Sequence, residues 1–170
     1  MPDKIHFILT GGTIDSVYHP PTETSVPADR SIIPEYLNDA IKPYDEYTFE
    51  TLCMLDSGDV TDAHRESMVQ SITSNTADKF IICHGTNTLI ETAQYLAAHF
   101  LIKDTDKTII LTGAIIPLKQ FILSDGGFNL GYAVGQSYNL SSGVHICMHG
   151  KIFLPQNVTK NRAEARFEEL

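Results

Sequence analysis

The 170-residue sequence has no tryptophan, only three cysteines, and only 12 lysines and arginines set against 21 aspartates and glutamates. Each shortage excludes something. The formal charge of −9 argues against partners that need basic patches, namely nucleic-acid backbones and anionic membrane surfaces. No run of like charges is long, so the acidity reads as a solvated surface. No apolar stretch approaches the roughly 20 residues that a membrane-spanning helix needs. The opening segment "MPDKIHF" lacks the basic flank and apolar centre of a secretory leader, so a cytoplasmic location is expected. Cys53, Cys83 and Cys147 each lie inside an apolar, strand-like run, and their odd number without paired spacing fits buried, reduced thiols. His145, Cys147 and His149 alternate and would share one strand face. A zinc site usually adds a fourth ligand and a closing turn; neither is evident, and no metal is expected. Internal repeats and low-complexity tracts are also lacking, and the length suits one domain over residues 1–170 with a real core.

What is present alternates. Strand-like runs lie near 5–9, 48–55, 79–83, 107–112 and 143–148. Residues 62–75 carry Ala63, Met68, Val69 and Ile72 at helical spacing, with Thr61 or Asp62 as N-cap. Residues 88–101 open on Thr88 and Glu91, a T-x-x-E capping box, and line Leu89, Ala93, Leu96, Ala97 and Phe100 along one face. A third helix is expected from about Phe128 to Tyr138. Strands alternating with helices predict an α/β fold: three α/β/α layers around a mainly parallel sheet covered on both faces. The Pro-rich stretch between 17 and 47 has little periodicity and reads as a long loop.

The polar loops carry the functional signal. "TGGT" (Thr10–Thr13), "DSGD" (Asp56–Asp59), "HGTNT" (His84–Thr88) and "TGAIIP" (Thr112–Pro117) follow four successive strand runs. In a parallel sheet all four emerge at the carboxyl edge, where open α/β folds hold their ligands. Turn formation accounts for some of these residues, but hardly for the repeated Gly-Thr pairs. Gly11 and Gly12 permit positive φ and the close approach of another group, such as a carboxamide, and Thr13 would present a hydroxyl to it. "TGGT" is neither G-x-G-x-x-G nor a phosphate-binding loop, so a nucleotide site is a weak reading.

"LTGGTIDS" together with "CHGTNTLIETA" resembles the two signature segments of the bacterial-type L-asparaginase family, and "LTGAIIP", "SDGGFNL" and "NVTK" are similar to its later landmarks in the same order. The resemblance runs from Ile5 to Lys160 and looks like the family's N-terminal domain alone. It implies hydrolysis of a side-chain carboxamide, that of L-asparagine or a related amide, with no metal or organic cofactor. Thr13 resembles the nucleophile that forms an acyl-enzyme, and Thr86 and Lys160 the proton-handling pair. Ser57 resembles the residue that holds the substrate α-carboxylate, and Gly12, Gly58, Asp59, Gly85 and Ala114 match substrate-contacting positions. Tyr18 resembles the flap tyrosine, at a shorter spacing. Physically, a threonine hydroxyl needs an adjacent base, and lysine serves only with a lowered pKa. A glycine-rich turn can offer N–H groups to a tetrahedral oxyanion.

Three departures matter. Asn87 stands where the family has aspartate in "HGTDT", pairing with the α-ammonium. An amide brings no charge, and a buried ammonium without its counter-ion costs roughly 2–5 kcal/mol. Losing a carboxylate beside Lys160 also lowers the lysine pKa. Gly58 removes a side chain that helps grip the substrate. The second domain, which lends an acidic residue across a subunit interface, is the third departure, for which Asp15 or Asp59 would have to compensate. Two hypotheses therefore stand: an amidohydrolase, or a catalytically impaired domain that keeps the cleft to bind a small molecule or a protein partner. A homodimer or higher homo-oligomer is expected in either case, because the surface that meets the second domain would be left partly apolar.

Overall fold

A computed structural model describes residues 4–103, 105–119 and 122–170. The strands are β1 (Ile5–Gly11), β2 (Ser16–His19), β3 (Thr24–Pro27), β4 (Tyr47–Leu55), β5 (Lys79–Cys83), β6 (Thr108–Thr112), β7 (Gly143–Met148), β8 (Lys151–Phe153), β9 (Val158–Asn161) and β10 (Arg166–Glu169). The helices are α1 (Ile33–Glu35), which widens into a π-helical turn over Tyr36–Ile41, α2 (Asp62–Ser74), α3 (Leu89–Lys103) and α4 (Gly126–Ser137).

One six-stranded sheet has the order β4-β1-β5-β6-β7-β8. All its pairs are parallel except β7 with β8 at the edge. All seven residues of β1 are buried, as an internal parallel strand covered on both faces requires. Alternating residues send Ile8, Phe80, Ile82, Ile109 and Leu111 to one face, under Met68, Val69 and Ile72 of α2 and Leu89, Ala93 and Leu96 of α3. Phe7, Leu9, Ile81 and Ile110 point to the other, under Ile33 and Leu37 and under Leu130 and Ala133 of α4. The three-layer α/β/α architecture read from the sequence is the one the chain adopts. From β1 the chain crosses first to β4 on one side, then returns to build β5, β6 and β7 on the other. The reversal falls between β1 and β5, the switch point where such sheets place ligands.

The five strands and three helices expected are present with ends displaced by one or two residues. The stretch over 17–47 is not a plain loop. Ser16–His19 pairs antiparallel with Thr24–Pro27, turned by Pro20–Thr22 and by Glu23 at φ 50°. Neither strand buries a full face, so the hairpin leaves no apolar alternation to read. Ile33 and Leu37, one helical turn apart, then anchor the return to the sheet. At the other end, β9 and β10 form a separate antiparallel ribbon in which Lys160 faces Phe167 across the strands. Buried Val158 and Phe167 fasten this ribbon to the core beneath α3.

Candidate active site

The floor of the site is main chain against main chain. β1 leaves the sheet through Gly11 at φ 86° and Gly12 at φ 74°, and the Gly12 N–H donates to Leu55 O at 2.8 Å. A Cβ on Gly12 would sit 2.3 Å from both Cα and N of Gly85, and one on Gly85 would sit 2.6 Å from the Ser57 Cβ. The loops after β1, β4 and β5 are therefore packed so closely that no methyl fits between them. Neighbouring backbone fills the space that side chains at Gly11 and Gly12 would occupy, so these glycines serve the contact between loops.

Two threonines follow this contact in parallel. Thr13, half-buried, opens the tight turn Thr13–Asp15, which is locked by the Asp15 N–H and the Ser16 hydroxyl, both donating to Gly12 O at 3.1 and 2.9 Å. The Thr13 hydroxyl has no hydrogen-bond partner among the described residues. Thr86, buried, follows Gly85 directly. Lys160 reaches it from β9: its Nζ donates to Thr86 Oγ1 at 2.8 Å and to Asn87 Oδ1 at 3.2 Å. Partial burial pushes the Lys160 pKa below the usual lysine range; the Arg162 charge adds to this, while Asp56 and Glu91 oppose it. Ser57, also buried, accepts the Asn87 N–H at 3.2 Å, and the Thr88 hydroxyl donates to its carbonyl at 2.6 Å. Thr88 thus ties the start of α3 to the neighbouring loop, while at α2 it is His64 Nδ1 that accepts the N-cap Thr61 N–H.

A layer beneath keeps these loops in place. His84 is fully buried; its Nδ1–H donates to Gly85 O at 2.8 Å, and its Nε2 accepts from Thr92, whose hydroxyl oxygen in turn accepts from Arg65 Nε. Burial, with help from the Arg65 charge, brings the imidazole pKa down to about 4, so the ring is neutral and serves as a strut. Across the sheet, Asp125 accepts the N–H groups of Ile115 and Ile116, and Asn129 donates to Gly113 O and accepts from the His149 N–H. The "SDGGFNL" segment is thus the fastening of the "TGAIIP" loop, in which Ala114 is fully buried. Only its place in the order of landmarks was legible beforehand.

Other expected residues fall further out. Tyr18 lies on the exposed hairpin and is itself 46% exposed. Gly58 and Asp59 form an exposed turn, with the Gly58 N–H bound to Asp56 Oδ1 at 2.8 Å. Asp15 is buried and its Oδ1 accepts the Ile32 N–H at 2.9 Å, so it braces the chain after the hairpin instead of supplying charge to the cleft. The His145–Cys147–His149 alternation breaks at its last member: His149 sits in a turn at φ 55°, its ring beside Phe167, whereas Cys147 belongs to the opposite core. Burial pushes the Cys147 thiol up to about 12. Arg162 was missed. It lies two residues beyond Lys160, in the turn that follows β9, and its Nη1 reaches Asn87 Oδ1 at 3.5 Å. Two cavities, of about 480 Å³ beside Asp15 and about 760 Å³ beside the end of α3, are lined by neither Thr13, Ser57, Thr86 nor Lys160. No described helix is long and apolar enough to cross a membrane.

Comparison with known proteins identifies the family and the fold. The family model for the N-terminal part of asparaginase matches residues 4–167. L-asparaginase 1 of Escherichia coli K12 is 27% identical over 169 residues, covering 95% of this chain and 48% of that protein. The glutaminase-asparaginase of Acinetobacter glutaminasificans is 26% identical over 168 residues, covering 93% and 50%. Among solved structures, L-asparaginase I from Vibrio cholerae superposes with a TM-score of 0.78 at 25% identity, covering 99% of this chain and 52% of the other. The probable cytoplasmic L-asparaginase from Campylobacter jejuni shares the fold with a TM-score of 0.79 at 23% identity, covering 98% and 51%. The chain spans about half the length of the curated relatives it matches.

Proposed function

This chain belongs to the asparaginase family, matching its N-terminal domain, and from that premise we propose that it hydrolyses a side-chain carboxamide through the Thr13 hydroxyl. The observation that carries the reading is the 2.8 Å bond between Lys160 Nζ and Thr86 Oγ1, made on the loop whose glycine abuts Gly12. A lysine from a distant ribbon has been brought beside a buried hydroxyl and given a lowered pKa, which a surface lysine would not need.

In this mechanism Thr13 Oγ attacks the carboxamide carbon, and its proton passes by way of the Thr86 hydroxyl to the neutral Lys160 amine. Main-chain N–H groups of the rim loops hold the oxyanion; losing one such donor typically raises the barrier by about 3 kcal/mol. The intermediate collapses to a Thr13 ester, and the departing ammonia takes the proton back. Water activated by the same pair then cleaves the ester. Ser57 already accepts the Asn87 N–H, so its own hydroxyl proton is available for a substrate carboxylate. Gly58 and Asp59 line the approach, the buried Gly12, Gly85 and Ala114 offer main-chain contacts behind it, Asn87 adjoins the base, and Tyr18 covers the entrance from the hairpin. The substrate is a small-molecule amide such as asparagine, and no cofactor takes part. The assembly is a homo-oligomer in the cytoplasm, its association supported by the exposed Phe128, Leu154, Ile122 and Leu123.

Ammonia release from a panel of amides tests the proposal. Turnover should fall to background in Thr13→Ala while the circular dichroism spectrum stays unchanged; equal ammonia release by wild type and Thr13→Ala would refute it. The second reading, a binding domain without turnover, is favoured by the uncharged Asn87. Tight binding of a small acid, unchanged in Thr13→Ala and without turnover of any amide, would establish it instead.

A further inference from the structure

The amide of Asn87 is turned the wrong way to receive a cation. Its Oδ1 accepts from Lys160 Nζ at 3.2 Å and, at the limit of hydrogen-bonding range, from Arg162 Nη1 at 3.5 Å. A carboxamide has one acceptor oxygen and two N–H donors. With the oxygen drawn toward the Lys160 amine and the Arg162 guanidinium, the end left for an arriving molecule is Nδ2, which has no partner among the described residues. Beside it, Ser57 has an O–H to donate. This quarter of the rim therefore presents N–H and O–H donors together with the Arg162 charge. The opposing acids are Asp56, Asp59 and Glu91. All three are exposed, as Arg162 is, so water screens both signs, and Asp56 Oδ1 already accepts the Gly58 N–H. Arg162 lowers the Lys160 pKa, and Asp56 and Glu91 oppose it.

An ammonium brought to Asn87 meets the Arg162 charge and an amide N–H in place of an acceptor, and like-charge juxtaposition is penalised heavily at a binding surface. A carboxylate or an acyl carbonyl meets complementary groups. Building on the amidohydrolase reading above, we propose that Asn87 and Arg162 set specificity against a free α-ammonium. The substrates are then monoamides of short dicarboxylic acids that carry no free amino group, or carry it acylated. Both residues act on the non-reacting part of the substrate.

The test uses succinamate, which is asparagine without its α-amino group. For the wild-type chain, kcat/KM should favour succinamate over L-asparagine by roughly tenfold or more, about 1.4 kcal/mol or more in free energy. Arg162→Lys, which keeps the charge, should keep the preference. Arg162→Ala should erode it, and Asn87→Asp combined with Arg162→Ala should reverse it in favour of asparagine. A wild-type preference for asparagine, as would follow if Asp59 holds the ammonium, overturns the proposal, and so does a ratio unmoved by either change. If neither amide is hydrolysed, the amidohydrolase reading is decided separately by the wider amide panel, and calorimetry with succinate and L-aspartate decides the present proposal. Tighter binding of succinate to wild type, lost in Arg162→Ala, supports the proposal; equal binding, tighter binding of aspartate or no binding of either refutes it.

Discussion

The two sides of the rim are built on opposite principles. On one side, the loops after β1, β4 and β5 touch backbone to backbone, with Gly12, Gly85 and Ser57 leaving no room for a methyl group and His84 braced beneath. On the other, the Ser16–Pro27 hairpin that carries Tyr18 is short, polar and exposed, and closes no core. The proton transfer proposed between Thr86 and Lys160 needs a geometry fixed to a fraction of an ångström, and the packed side holds its Thr86 end. Admission and release of the proposed substrate would need a segment whose displacement costs little, and the hairpin is of that kind.

The contrast can be broken most severely at Gly12. Its φ of 74° and ψ of −174° lie in a region open essentially to glycine, and a methyl there would strike the Gly85 backbone. Gly12→Ala should destabilise the fold by about 4 kcal/mol or more, seen as a collapse of the urea midpoint. A shift below about 1 kcal/mol would mean that the floor is softer than described.

His84 comes next. Its pKa is about 4 when folded and near 6.5 when unfolded. Between those values the unfolded chain binds the extra proton, so stability is fully present above pH ~6.5 and is lost as the pH falls toward 4. The loss should total about 3 kcal/mol, since each pH unit of difference is worth about 1.4 kcal/mol. Denaturant midpoints from pH 7 to 4 measure it, and His84→Gln should flatten that part of the profile.

A finer probe is the pH dependence of turnover. Arg162 lowers the Lys160 pKa, so its removal raises that pKa and keeps the amine protonated to higher pH. The limb on which activity rises with pH should therefore move upward in Arg162→Ala. The smallest effect belongs to the hairpin: Tyr18→Ala should change stability by no more than about 0.5 kcal/mol, while raising KM. A larger loss of stability would erase the distinction between the two sides.

The five strand runs, the helices over 62–75 and 88–101 and the four polar loops were legible because each rests on local periodicity or on glycine and threonine at a strand exit. The hairpin was not, since a four-residue ribbon with both faces wet has no hydrophobic pattern to betray it. Lys160 could be named from "NVTK" by resemblance, but nothing local explains its arrival at Thr86. That depends on Val158 and Phe167 being swallowed by a core made of distant residues. The role of Asn129 was hidden for a similar reason: an asparagine near a helix start reads as a cap, and only the fold shows its amide bridging Gly113 to His149.

One consequence follows from the way β9 and β10 are attached. The amine at residue 160 rides on a tether that shares no strand pairing with the central sheet, held by Val158 and Phe167 in the core and by the Lys151–Glu169 ion pair to β8. Warming should release that tether while the sheet is still intact, so the activity proposed above should be lost before the molecule melts. Cooling alone should then restore it.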